Sequence, residues 1–161
     1  MKLKISKPFW QVVGLGVLAG MRSTVAPAVA SHILSHRSSG HLAKSPLDFM
    51  QSATAANVMK VFVVGEIIGD KLPSTPNRIK SAGVIARCLS ASLAGASIYK
   101  ANGDGALEGA VLGSIVALGS TFGSYFLRRD IVSKFNVFDP IAGTVEDALA
   151  IGAGIGLIQT V

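Results

Sequence analysis

The chain has 161 residues, half of them hydrophobic, with only 15% charged against roughly a quarter in ordinary soluble domains; its mean hydropathy is +0.52. The net charge of +6 would suit nucleic acid, but the basic residues flank apolar runs and form no patch with stacking aromatics, which excludes that partner. One cysteine, Cys88, excludes an intrachain disulfide framework, and the whole reads as a single all-α integral membrane domain, residues 1–161.

The first predicted helix runs from about Phe9 to Leu34, behind a basic start containing Lys2, Lys4 and Lys7. It is longer than the apolar region of a signal peptide and carries Arg22 and Pro27, so it reads as a retained transmembrane helix, kinked in its outer half by Pro27. About 20 apolar residues span a bilayer. Arg22 near the middle of such a run is costly unless it faces a partner or a wet cavity, so polar groups inside the protein should answer it.

A polar loop follows, from His36 to about Ser52. The second helix is about Ala53–Gly69, with Lys60 and Glu66, stopped by the Pro73 and Pro76 turn. The third is about Ala82–Tyr99 and contains Arg87. Asn102-Gly103-Asp104-Gly105 reads as a turn. The fourth is about Ala106–Leu127, ending in Arg128-Arg129-Asp130, and the fifth is about Ile141–Thr160 behind Pro140. Five crossings place Lys2, Lys4, Lys7, Lys71, Arg78, Lys80, Arg128, Arg129 and Lys134 on one side and Arg37, Lys44 and Lys100 on the other. Nine against three puts the N-terminus inside and the C-terminus outside.

Glycines recur at four-residue spacing: Gly16 with Gly20, Gly65 with Gly69, Gly105 with Gly109 and Gly113, Gly119 with Gly123, and Gly152 with Gly156. Such faces let helix backbones approach closely, within one chain or between copies in a homo-oligomer. The first two and last two helices pair as glycine-rich and acidic members, which suggests inverted two-helix repeats of the kind found in transporters.

The charged residues of the helices form one predicted constellation: Arg22, Glu66, Asp70, Arg87, Glu146 and Asp147. Glu66 and Asp70 share a helix face, so they could bind a cation or share a proton, and either arginine could hold an anionic group. Arg87 with Glu146 could equally be an ion pair that fixes register. His32, His36 and His41 have metal-like spacing only in their first pair and lack a companion ligand, so they belong to a solvated loop. No metal, cofactor or catalytic set emerges.

Gly20-Met21-Arg22-Ser23, Gly69-Asp70-Lys71-Leu72-Pro73 with Pro76-Asn77-Arg78, Ala86-Arg87, and Glu146-Asp147-Ala148-Leu149-Ala150 together resemble a bacterial family of small integral membrane proteins catalogued as a domain of unknown function. The resemblance implies a multi-helix protein of the inner membrane and brings no activity or ligand with it. The residues lead to a small channel or transporter for an ion or small polar solute, with an inward-facing charged vestibule. The alternatives are a structural membrane protein whose charges only order the helices, and a protein that handles lipid headgroups.

Overall fold

The computed structural model describes residues 7–69, 81–135 and 139–159, less the side chains of residues 128 and 131–142. It is all-α, with seven helices and no strand among the described residues: α1 (Lys7–Met21), α2 (Val25–His36), α3 (Gly40–Ala43), a 3-10 turn (Asp48–Gln51), α4 (Ala53–Gly69), α5 (Ser81–Ala101), α6 (Ala106–Phe135) and α7 (Asp139–Gln159).

The first predicted helix is two helices. Pro27 has no N–H, and in an uninterrupted helix its ring would press on the carbonyl four residues back, at Ser23. The helix ends with Arg22 N–H on the Leu18 carbonyl and restarts with Ala28 N–H on that of Thr24. The chain also reverses direction there. A continuous helix would hold Lys7 and Arg37 about 45 Å apart, yet Lys7 and Gln11 of α1 line the same cleft as Ile33, Leu34 and Arg37 at the end of α2. α1 and α2 are the legs of a hairpin with its tip at residues 22–24.

This hairpin is the centre of the bundle. Val12, Leu15, Ala19, Ala26 and Ala30 have almost no exposed surface. α5 and α6 pack on α1 through absent side chains. A Cβ on Gly95 would fall on the Gly109 carbonyl, and one on Gly109 on that of Gly95. One on Gly113 would come 2.5 Å from the Ala91 carbonyl oxygen. The α5–α6 pair is antiparallel, and Ser92 Oγ meets Ser114 Oγ across it at 2.5 Å. The connecting turn follows the Asn-Gly-Asp-Gly signal, with Gly103 at φ +83°, a left-handed conformation that glycine adopts without strain. On α1, Gly16 faces Val116 and Gly113, and Gly20 faces Ser120 and the Ala117 carbonyl. Ser120 donates to the Val17 carbonyl at 2.9 Å. Both residue series rise together, so α1 and α6 are parallel. The expected inverted repeats needed these two helices to oppose each other, and they do not.

α4 lies along α2 with Ala56, Met59, Val63 and Glu66 on its inner face. α7 runs antiparallel to α1: Asp147 meets Arg22, Gly154 faces Leu18 and Leu157 faces Gly14. The start of α1 and the end of α7 therefore point toward one side of the bundle, not opposite sides. The nine-to-three count also puts Lys7 and Arg37 on different sides, whereas both line one cleft; Lys2, Lys4, Lys71, Arg78 and Lys80 lie outside the described residues. The segment read as a solvated loop is partly core. Leu42 and Met50 are fully buried, Ser31 Oγ donates to the Met50 carbonyl at 2.8 Å, and Ser39 Oγ donates to the Ala101 carbonyl at 2.6 Å. His36 and His41 within it are exposed.

Large apolar side chains cover the outside: Val61, Phe62, Leu89, Ile115, Phe126 and Leu149 are all mostly or nearly half exposed. Two helical stretches, Ser81–Ala101 and Ala106–Leu127, are long and apolar enough to cross a membrane. The four-spaced glycines divide by environment. Those of α1 and the first half of α6 are packed, whereas Gly65, Gly69, Gly119, Gly123, Gly152 and Gly156 have open space beside them.

This division predicts opposite responses to one methyl group. Gly109→Ala should destabilise by about 1–3 kcal/mol through overpacking, whereas Gly152→Ala should stay within about 0.5 kcal/mol of the parent. Thermal unfolding of the two purified variants measures the difference.

Candidate functional site at the hairpin tip

A helix that breaks and restarts exposes backbone N–H groups at its new N-terminus. In an uninterrupted helix the N–H groups of Ser23 and Thr24 would bond to the carbonyls of Ala19 and Gly20. Here both turn to α4, where Glu66 receives them. Oε1 of Glu66 accepts from Ser23 N–H at 3.0 Å and from Ser23 Oγ at 2.7 Å. Oε2 accepts from Thr24 N–H at 2.9 Å and from Thr24 Oγ1 at 2.5 Å. A carboxylate has about four acceptor positions, and all are used. The cap of α2 thus comes from another helix, and Thr24 makes no side-chain cap of its own. The negative charge at the N-terminus of α2 also suits the helix dipole.

Arg22, one residue before, is turned the other way. It donates Nε–H to Oδ1 of Asp147 on α7 at 2.6 Å, and its Nη2 reaches the same oxygen. Arg22 keeps 3% of its surface exposed and Asp147 8%. Two adjacent residues of the tip are therefore tied to two different outer helices by charged groups. A charge-assisted bond is roughly twice as strong as a neutral one.

Arg87 and Glu146 are also buried, at 6% and 9% exposure. The register of α5 against α6, with Gly95 opposite Gly109 and Ala91 opposite Gly113, carries Arg87 to the level of Ala117, beside which Gly20 of the tip packs. Glu146 precedes Asp147 on α7. Five of the six sequence-predicted residues, Arg22, Glu66, Arg87, Glu146 and Asp147, thus gather at one level. Asp70 lies outside the described residues, and with it the paired-carboxylate reading of Glu66 and Asp70. Lys60 is exposed on α4. No group of three or more His, Cys, Asp or Glu side chains able to share a metal occurs among the described residues.

The tip does not reach the end of the bundle. From Ser81 to Arg87 on α5, and from Asp139 to Asp147 on α7, helix continues beyond the tip for roughly 10 Å. The charged level is recessed to that depth. The sequence reading names the charges but gives Ser23 and Thr24 no role. The signal for their role was present: two hydroxyl residues followed by proline within an apolar run mark a helix start.

Removing these ties should have local and measurable consequences. Glu66→Gln replaces one acceptor oxygen with a donor group facing other donors, which should cost about 1–3 kcal/mol. Hydrogen exchange should speed up selectively at Ser23 and Thr24. Asp147→Ala, which breaks a buried pair, should cost about 3–5 kcal/mol. Thermal unfolding and exchange mass spectrometry on purified variants test both.

Comparison with curated proteins and with solved structures finds no match. The model of one protein family, described as Domain of unknown function (DUF4126), matches residues 10–159. That match takes in the hairpin, its charged tip and all four helices around it, and the chain belongs to this family.

Proposed function

We propose that this chain is a multi-pass protein of the bacterial inner membrane that conducts or transports an ion or small polar solute past the hairpin tip. The lipid setting is supported by the inverted distribution of side chains: charges at the centre, large apolar groups outside. In a soluble protein so large an apolar exterior would be a liability. α5 and α7, of 21 residues each, have the ~31 Å length that a bilayer core requires. α2, of 12 residues, reaches only ~18 Å, and α1 turns back into it at the recessed tip. They enter and return as a re-entrant hairpin, so α4 to α7 make the crossings and the expected five spans become four spans and a hairpin. The outward glycines leave room for a second copy, and native mass spectrometry in detergent reads whether one binds.

The observation that carries the transport reading is the set of buried charges, Arg22 with Asp147 and beside them Arg87 and Glu146, recessed at the level of the break; the N–H groups of the break are held by Glu66. Backbone that leaves helical bonding at membrane depth is tolerated where protein buries it or where it borders an aqueous cavity. Transporters place broken helices at their sites because the free helix ends and nearby charges can hold a solute. Here Arg22 and Asp147 would line the path with Arg87 and Glu146 at the same level, and Glu66 would hold the tip. A solute anion that displaces Asp147 from Arg22 would loosen α7 from the hairpin and couple binding to movement.

The saturated Glu66 carboxylate favours a second reading, in which the charges only order the helices. The two differ in flux. For transport, proteoliposomes should pass at least one of sodium, potassium, chloride or phosphate above protein-free vesicles. Arg22→Lys keeps the charge but loses the fork geometry, and should reduce that flux about tenfold while the protein stays folded. No flux above background for any of these ions, with thermal stability alone responding to the substitutions, would select the ordering role.

A further inference from the structure

At the opposite end of the hairpin its legs separate around a cleft of about 320 Å³. Its polar lining comes from Lys7, Gln11, Arg37, Ser38, Ser39 and Asn102, and no carboxylate lines it. Four of the backbone carbonyls beside it are already engaged. Those of Ile33 and Leu34 accept from Arg37 N–H, and that of Ile98 accepts from Asn102 N–H and from Asn102 Nδ2 at 2.8 Å. The Ala101 carbonyl accepts from Ser39 Oγ at 2.6 Å. Arg37 and Lys7 make no salt bridge with a described residue. Gln11 is the informative member. It is 92% buried, since 8% of its surface remains exposed, and its side-chain amide has no hydrogen-bond partner among the described residues. Its amide reaches the cleft, so a ligand there can bond to it without displacing a protein partner. What remains is a guanidinium and an ammonium with no carboxylate to answer them, beside the Gln11 amide, which offers both an N–H₂ donor and a carbonyl acceptor, and a partly apolar wall.

We propose that this cleft binds a phosphate-class anion, with Arg37 and Lys7 supplying charge and Gln11 a buried directional donor. Arg37 fits because its fork matches two phosphate oxygens. Trp10, mostly exposed on α1 one residue before Gln11, belongs to the residue type that gathers where bilayer meets water, and Ile33 and Ile98 of the cleft wall suit the upper part of an acyl chain. The phosphate could come from a lipid headgroup or from solution. The proposal is independent of transport at the tip; only its lipid arm rests on the membrane reading.

The test uses the full chain purified in a neutral detergent, titrated calorimetrically with inorganic phosphate, with dihexanoyl phosphatidylglycerol, and with the zwitterionic dihexanoyl phosphatidylcholine. Saturable binding of either anionic probe is expected, at least tenfold tighter than binding of the choline lipid. Phosphatidylglycerol alone identifies a headgroup site, and both anions binding alike identifies a free-anion site. Gln11→Leu should weaken binding at least tenfold without lowering the unfolding temperature, because it removes the donor and keeps the apolar stem. Arg37→Gln, on an exposed side chain, should weaken binding without altering that temperature. Absence of binding by both anions, equal binding of the choline lipid, or unchanged affinity in the two variants would overturn the proposal.

Discussion

The Glu66 carboxylate allows the chain to turn back at Ser23 and Thr24. Two backbone N–H groups lose their helical partners there, and no water is needed to replace them, because one side chain from α4 accepts both, together with both adjacent hydroxyls. Each donor left bare in a low-dielectric interior would cost about 1–3 kcal/mol. The hairpin, and every helix that packs around it, depends on this exchange of acceptors.

The arrangement around the hairpin follows from two complementary devices. On the α5–α6 side, contact is made by backbone. Gly95, Gly109 and Gly113 let carbonyls lie where side chains would be, and the helices gain dispersion contact and short polar links such as Ser92 with Ser114. On the α4 and α7 side, contact is made by charge. Glu66 and Asp147 reach the tip from opposite directions. The first device is rigid, because it has no side chain to rearrange. The second is exchangeable, because an ion pair can be replaced by another of the same sign. A moving part, in the transport reading, is therefore expected among α4 and α7, with α1, α5 and α6 as the frame.

The hairpin also has two chemically different ends. Its tip is closely compensated, with arginine against carboxylate and donors against Glu66. Its open end is uncompensated, since the cleft between the legs collects Lys7 and Arg37 without an acid. The difference fits a recessed, enclosed tip and an open end near an anionic surface or ligand.

The sequence by itself determined composition-level and local properties: helical class, the apolar stretches of α5 and α6, the Asn102–Gly105 turn, and five of the charged residues that gather at one level. These follow from hydropathy and from the high cost of isolated charge, both of which are carried by residue type. It even held the break, in Ser23, Thr24 and Pro27, but proline in an apolar run is compatible with a kink or a full reversal. Only the tertiary structure chose reversal. That choice required an acceptor 43 residues away from Ser23 and a glycine-lined groove to receive α1. The relative directions of the first and last helices and the repeat symmetry changed with it, because both assumed that the first apolar run continues one way, and direction of travel is a property of packing partners that no local stretch of residues encodes.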